Sequence, residues 1–312
     1  MPEINEVRQY ANFLLSKLKN KNILEINILN GRYKKHGPFE NYDKLKHNLP
    51  IKLIDVKTKG KFLYMIFSTN NSVSTTHNSV SAIYLFSTLG LSGGWIYKKH
   101  KEKSKFEHPT ILEYLNKDSI DSYMSTSIKH LNVEFKTENG SMYFYDTLSF
   151  GTLKVIDDNK ELDKKLNSIG PDIMDLDYNV FHEQITKKKN LTKVIGIVLM
   201  DQKTISGIGN YLRADILWMS KISPFRKVNK LSDEDIKLIF HNSKVLTWGQ
   251  FDKKEAKRLK IISNKDKLPS DYDRDFFVYN EDEDIHGNKV IKEELYEGSQ
   301  KRFIFWVKNY QI

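Results

Sequence analysis

Apolar residues recur at helical spacing from the start of the chain. Val7, Tyr10, Ala11, Leu14, Leu15 and Leu18 fall on one face of a 3.6-residue period, with Asn5 available as a cap, and predict an amphipathic helix over residues 6–19. From Ile23 the period shortens. The runs Ile23–Leu29, Ile51–Val56, Phe62–Phe67, Ala82–Phe86, Val133–Lys136 and Met142–Tyr145, separated by polar or glycine-bearing turns, predict a β-sandwich or barrel. Leu89-Gly90-Leu91-Ser92-Gly93-Gly94-Trp95 is too rich in glycine for a strand interior and is expected as a projecting loop with an apolar tip. Ser68–Ser81 and the basic stretch Lys98–His108 read as polar insertions, the second as a solvated face.

Beyond Gly151 the pattern changes. Residues 157–190 carry many charges around Ile169-Gly170-Pro171-Asp172, as a connection between domains does. Leu191, Val194, Ile195, Val198 and Leu199 then mark a helix face, and Ile216, Leu217 and Ile222 continue it after a break at Ser206-Gly207-Ile208-Gly209-Asn210. Ser232-Asp233-Glu234-Asp235 resembles a capping box for a helix through about Val245. The tail returns to short β-like runs, Phe276–Tyr279, Val290–Leu295 and Phe303–Val307, and predicts a small hairpin unit. The fold class expected is α+β: a β-sandwich domain over 1–156, a linker over 157–190, a helical domain over 191–270 and a hairpin unit over 271–312.

Composition narrows the chemistry. Fifty Lys+Arg against forty Asp+Glu give a formal charge of +10 over 312 residues, which favours a polyanionic partner, nucleic acid before membrane. There is no cysteine, so disulfides, thiolate nucleophiles and cysteine-based metal sites are excluded. The nine histidines show no pair at helical metal-ligand spacing, so neither metal nor cofactor is expected. With no signal-like opening and no apolar run of spanning length, a soluble, intracellular protein is expected, nuclear if the host is eukaryotic.

Candidate chemistry begins at Pro2. Once Met1 is removed, proline presents a secondary amine that titrates near ~7.7–8, and its attack on a sugar C1′ gives a cationic imine directly. The amino end of the first helix disfavours the protonated amine, and Glu3 is the nearest group able to move a proton. Lys61, on the turn between two strands, is either solvated or a point charge for a phosphate. Leu91 is either a turn residue or a wedge for a base stack. Asn210, at a Gly-x-Gly turn before a helix, suits an anion, as does the fork of Arg302.

These separated stretches together resemble the Fpg/Nei family of bifunctional DNA glycosylases. Pro2-Glu3…Glu6-Val7 resembles its amino-terminal signature, Gly60-Lys61-Phe62-Leu63 its phosphate-binding strand, and Asp146-Thr147-Leu148-Ser149-Phe150-Gly151 its void-filling loop. Asp201-Gln202…Gly207-Ile208-Gly209-Asn210-Tyr211…Asp215…Pro224 resembles its helix-two-turn-helix motif, and Val278-Tyr279…Arg302…Gln311 its terminal finger. The resemblance implies Pro2 as nucleophile, Glu3 as general acid/base, Glu6 as support, and Lys61, Asn210 and Arg302 on phosphates of damaged DNA. It implies Leu91 and Phe150 as fillers of the gap left by an extruded nucleotide, and strand cleavage by β,δ-elimination from a monomeric enzyme.

Three departures refine this expectation. Without cysteine the finger resembles the zincless type, with Phe277, Tyr279, Ile304 and Trp306 packing in place of metal. Leu148 stands where enzymes specific for 8-oxoguanine carry an arginine that reads the orphaned cytosine, and Leu91 stands where methionine is more usual. These features point to a Nei-like enzyme for oxidised pyrimidines and ring-damaged purines. The alternatives are an 8-oxoguanine-preferring Fpg-type enzyme, a non-catalytic damage binder on the same scaffold, and a basic structural or RNA-binding protein.

Overall fold

The computed structural model describes residues 2–68, 82–101, 105–109, 128–297 and 300–312. Most of the Ser68–Ser81 insertion therefore lies outside the described residues. Two units are present: one holds Pro2 and Glu6–Leu166, the other Glu3–Asn5 and Asn167–Ile312.

Helix α1 (Ile4–Leu18), which belongs to the first unit from Glu6 onward, buries Val7, Tyr10, Ala11, Leu14 and Leu18, the face that the periodicity marks. Its start is earlier than expected, so Asn5 is not a cap but an interior residue of the helix. Strands β1 (Asn22–Ile23) and β2 (Glu25–Ile28), helices α2 (Gly31–His36) and α3 (Tyr42–Lys46) and strands β3 (Ile51–Lys59), β4 (Phe62–Ser68) and β5 (Ala82–Thr88) follow. They are succeeded by β6 (Gly93–Lys99), β7 (Phe106–Glu107), β8 (Leu131–Lys136), β9 (Gly140–Asp146), β10 (Thr152–Ile156) and helix α4 (Asn159–Asn167). Two five-stranded antiparallel sheets result, ordered β1-β3-β4-β5-β10 and β2-β8-β9-β6-β7. Their inner faces share a core in which Trp95 of β6 lies 5.5 Å from Phe135 and 5.1 Å from Phe144. The Trp95 indole N–H crosses to Ser87 Oγ of the other sheet at 3.1 Å, so its polar atom is satisfied where its ring is buried.

The glycine-rich stretch departs from expectation. Gly93, Gly94 and Trp95 are strand, and the turn is confined to Gly90–Ser92. A Cβ on Gly94 would overlap the Tyr10 hydroxyl and lie 2.6 Å from that of Tyr145. Glycine is required there because the two phenols and His108 form a buried cluster, with His108 Nε2 2.9 Å from Tyr10 Oη and 2.8 Å from Tyr145 Oη. Burial pulls the His108 imidazole down to about 3. The basic stretch is thus only partly a solvated face: Glu107 pairs with Lys17 at 2.5 Å, and His108 is a core residue.

Residues 157–190, expected as a connection, contain α4 and α5 (Tyr178–Ile185). The second unit continues with α6 (Ile195–Val198), α7 (Asn210–Met219), α8 (Asp233–Arg258) and the hairpin β11 (Ile291–Glu297) and β12 (Gln300–Trp306). The capping box is present: Ser232 Oγ accepts from Asp235 N–H at 3.1 Å, and Asp235 Oδ2 from Ser232 N–H at 2.9 Å. The helix runs past Val245, bending at Asp252 (φ −155°, ψ 92°).

Phe276–Tyr279, expected as a strand, pairs with none. Its backbone donates instead to the Asp215 carboxylate of α7, from Phe277 N–H at 3.0 Å, Val278 at 3.0 Å and Tyr279 at 3.3 Å. Trp218, on the same helix, stacks on Phe277 at 4.7 Å and donates its indole N–H to Asp284 at 3.0 Å. Phe277, Ile304 and Trp306 are buried, and the Tyr279 ring meets Phe305 at 5.1 Å. Side-chain packing and one buried carboxylate hold the base of the hairpin.

Candidate active site

The motif Asp201-Gln202…Gly207-Ile208-Gly209-Asn210 builds its own turn. The Gln202 amide accepts from Gly207 N–H at 3.0 Å and donates to the Ile208 carbonyl at 2.8 Å. Asp201 accepts from Thr204 Oγ at 2.7 Å and Lys203 N–H at 3.0 Å. Burial works against its charge, yet these donors and the Lys189 ammonium hold its carboxyl below the usual range. The turn delivers Gly209 and Asn210 to the amino end of α7.

Glu3 occupies that helix end. Its carboxylate accepts from Gly209 N–H at 2.5 Å, Tyr211 N–H at 3.0 Å and Leu212 N–H at 3.4 Å, and its side chain is fully buried. Three oriented donors and the helix dipole stabilise negative charge at this point. The neighbouring Asn5 amide donates to Tyr211 Oη at 3.1 Å and Gln250 Oε1 at 2.6 Å. The residues around Glu3 are therefore fixed by polar contacts to positions more than two hundred residues away. Pro2 is half-buried and stands two residues before α1 begins.

Asn210 and Arg302 are linked through a residue that no sequence motif singles out for a role. Arg213, buried in α7, donates to Asn210 Oδ1, to the Phe303 carbonyl at 2.8 Å and to the Gly196 carbonyl at 2.9 Å. It ties the Asn210 amide to the strand that carries exposed Arg302. Burial brings its guanidinium down to about 10, against the pull of the Glu3 carboxylate. Residue type alone would place an arginine on the surface of a helix; here its partners include backbone carbonyls remote in sequence.

In the first unit, Lys61 lies on the β3–β4 turn after Gly60, partly exposed, and Glu6 is half-buried on α1. The loops 89–92 and 146–151 lie against one another. Leu91, Leu148 and Phe150 point outward from them, 45%, 56% and 60% exposed, whereas Asp146 between them is buried. Adjoining turns thus present three large apolar side chains to solvent, the kind of grouped exposure that marks an interaction surface. Among the described residues no group of three His, Cys, Asp or Glu side chains is arranged to hold a metal, and no helix is long and apolar enough to cross a membrane.

Both units resemble parts of known proteins. The family described as "Formamidopyrimidine-DNA glycosylase N-terminal domain" matches residues 1–153, and that described as "Formamidopyrimidine-DNA glycosylase H2TH domain" matches 169–249. A formamidopyrimidine-DNA glycosylase of Mycoplasma mobile is 26% identical over 78% of this chain and 75% of the relative. That of Mycoplasma genitalium is 27% identical over 78% of this chain and 72% of the relative. Among solved structures, Lactococcus lactis Fpg in complex with abasic-site DNA aligns over 100% of both chains, with a TM-score of 0.69 at 19% identity. The same enzyme with DNA containing an oxidised pyrimidine gives 0.69 at 20% identity over 99% of each chain. The chain belongs to the formamidopyrimidine-DNA glycosylase family, the DNA glycosylases of base excision repair.

Proposed function

We propose that the mature chain is a bifunctional enzyme that removes an oxidised base and then cuts the strand through a Schiff base on Pro2. The observation that carries this reading is Glu3: a buried carboxylate, fixed by three backbone N–H groups, immediately follows the proline. A secondary amine is a competent imine former once neutral, and a carboxylate one residue away moves protons around the opening deoxyribose. The proline nitrogen bonds to C1′ as the bond to the base breaks and the amine proton is lost; the C1′–O4′ bond then breaks, O4′ takes a proton from Glu3, and C1′ is left joined to nitrogen as an iminium. Loss of the C2′ proton then expels the 3′-phosphate, and a second elimination expels the 5′-phosphate.

Damaged DNA is the substrate in this reading. Lys61 and Arg302 neutralise phosphates, Asn210 donates its amide to one, Glu6 supports the amino-terminal turn, and Leu91 and Phe150 fill the vacated stack. A charge removed and a neutral donor removed are distinguishable. Arg302→Ala should weaken binding across all sequences and reduce the slope of log affinity against log salt by about 1. Asn210→Ala should weaken binding while leaving that slope unchanged; filter binding at a series of salt concentrations measures both.

Leu148 supports a Nei-like choice of lesion. An aliphatic side chain offers no donor fork for a guanine or cytosine edge, so excision should be nearly indifferent to the opposite base. The names of the curated relatives favour a second reading, ring-opened and oxidised purines. Single-turnover excision from duplexes carrying an oxidised pyrimidine, a formamidopyrimidine or 8-oxoguanine, each opposite all four bases, decides between them. Similar rates opposite every base and faster loss of pyrimidine lesions support the first reading; strong preference for 8-oxoguanine opposite cytosine supports the second.

A further inference from the structure

We propose that Ser92 and Asp146 form a latch that makes the two apolar loops of the first unit act as a single wedge. This rests on the void-filling reading of Leu91 and Phe150 and adds to it two positioning residues, the partly buried Ser92 and the buried Asp146.

Each loop alone is a short turn whose apolar tip gains nothing from pointing into water. Backbone conformational freedom opposes any fixed arrangement of such a tip. The structure supplies the restraint from polar atoms behind the tips. Ser92 Oγ, directly after Leu91, donates to Asp146 Oδ1 at 2.5 Å and accepts from Leu148 N–H at 2.9 Å. Asp146 Oδ1 also accepts from Leu148 N–H at 3.2 Å, and its Oδ2 from Gly151 N–H at 2.6 Å. One buried carboxylate therefore fixes both ends of the turn that carries Leu148 and Phe150, and one hydroxyl joins that turn to Leu91.

The backbones meet as closely as the side chains allow. Gly90 has φ +59°, and a Cβ there would lie 2.7 Å from Gly151 N and 2.9 Å from Phe150 Cβ. A third strut comes from α2: Arg32 donates to the Ser149 and Gly151 carbonyls, both at 3.3 Å. A wedge that must enter a stack as the base leaves works when its parts arrive together. Ångström-scale misplacement of a positioning element costs on the order of 100-fold in rate.

A double-mutant cycle tests the latch, because two residues acting through one device are non-additive. Single-turnover excision from lesion-bearing duplex is measured for Ser92→Ala, Ser92→Thr, Leu91→Ala and Ser92→Ala with Leu91→Ala. Ser92→Ala is expected to slow excision about 10–100-fold, Ser92→Thr to restore most of the rate by keeping the hydroxyl, and the serine effect to shrink several-fold or vanish when Leu91 is already alanine. Fluorescence of 2-aminopurine beside the lesion should show the same loss in the unstacking step. An undiminished serine effect in the Leu91→Ala background would mark a general structural role and overturn the latch, as would a Ser92→Ala enzyme of normal rate beside a slow Leu91→Ala enzyme. A normal rate for Leu91→Ala would overturn the void-filling reading itself, and the latch with it.

Discussion

Replacing Glu3 by glutamine is expected to lower base excision about 10²–10⁴-fold, the range lost with a positioned proton-transfer group. The geometry makes the substitution more than a loss of charge. Glu3 Oε2 accepts from Gly209 and Leu212 N–H groups and Oε1 from that of Tyr211. In glutamine one of these oxygens becomes an NH2 aimed at a backbone donor, so at least one buried hydrogen bond is lost. That leaves an N–H without its partner, at a cost of about 1–3 kcal/mol. Thermal unfolding should therefore show a modest decrease in stability while lesion-DNA binding is largely retained. Excision at the normal rate by Glu3→Gln on every lesion tried would remove Glu3 from the mechanism.

The largest expected effect on stability lies at Asp215. Its carboxylate is buried and accepts from three consecutive N–H groups, those of Phe277, Val278 and Tyr279. Asp215→Ala should destabilise the second unit by about 3–5 kcal/mol, because three backbone N–H groups lose their acceptor at about 1–3 kcal/mol each, and should expose the segment 276–279 to hydrogen exchange. Chemical denaturation followed by tryptophan fluorescence measures the first effect, since Trp218 stacks on Phe277. Asp215→Asn keeps one acceptor oxygen and should cost less.

The same residue predicts a pH dependence. Burial raises the Asp215 carboxyl to about 7 even though the three N–H groups pull it down. A carboxyl raised in the folded state binds its proton more tightly there than in the unfolded chain, whose value is near ~3.9. Its contribution to stability is therefore complete below about pH 4 and is lost as pH rises toward 7. The difference in stability between wild type and Asp215→Asn should shift across that window and be flat above it. A constant difference from about pH 4 to 8 would show that Asp215 does not titrate there.

Periodicity made α1 legible, because Val7, Tyr10, Ala11, Leu14 and Leu18 all face one core. The run Phe62–Phe67 was legible as a strand from its β-rich composition, and β4 ends one residue later, at Ser68. Strand β6 was not, because its Gly94 accommodates the hydroxyls of Tyr10 and Tyr145, two residues far away in the chain, and its Gly93 lies against the Leu89 backbone. Phe276–Tyr279 has the composition of a strand, but its donors are taken by a carboxylate on α7. Asn5 has the chemistry of a cap, but the helix starts before it and its amide is used by Tyr211 and Gln250.

The candidate site divides in the same way. Pro2, Glu3, Lys61, Asn210 and Arg302 stand out because their residue types suit amine, proton and phosphate chemistry. Arg213, Ser92 and Asp146 do not, because their importance comes from partners distant in sequence: the Phe303 carbonyl for Arg213, and each other for the serine and aspartate. A charged residue on an apolar helix and a serine in a turn carry no such signal by themselves. Buried polar residues gain their meaning from the fold that satisfies them.

Covalent chemistry at the proline nitrogen is tested most directly by peptide mapping after reduction. The mature protein, its Met1 removal verified by mass, is mixed with DNA containing an abasic site and treated with borohydride. The trapped complex is then digested with nuclease and protease. The deoxyribose-derived mass is expected on the amino-terminal peptide, at Pro2. An adduct on a lysine such as Lys61, with the amino-terminal peptide unmodified, would contradict the Schiff-base assignment.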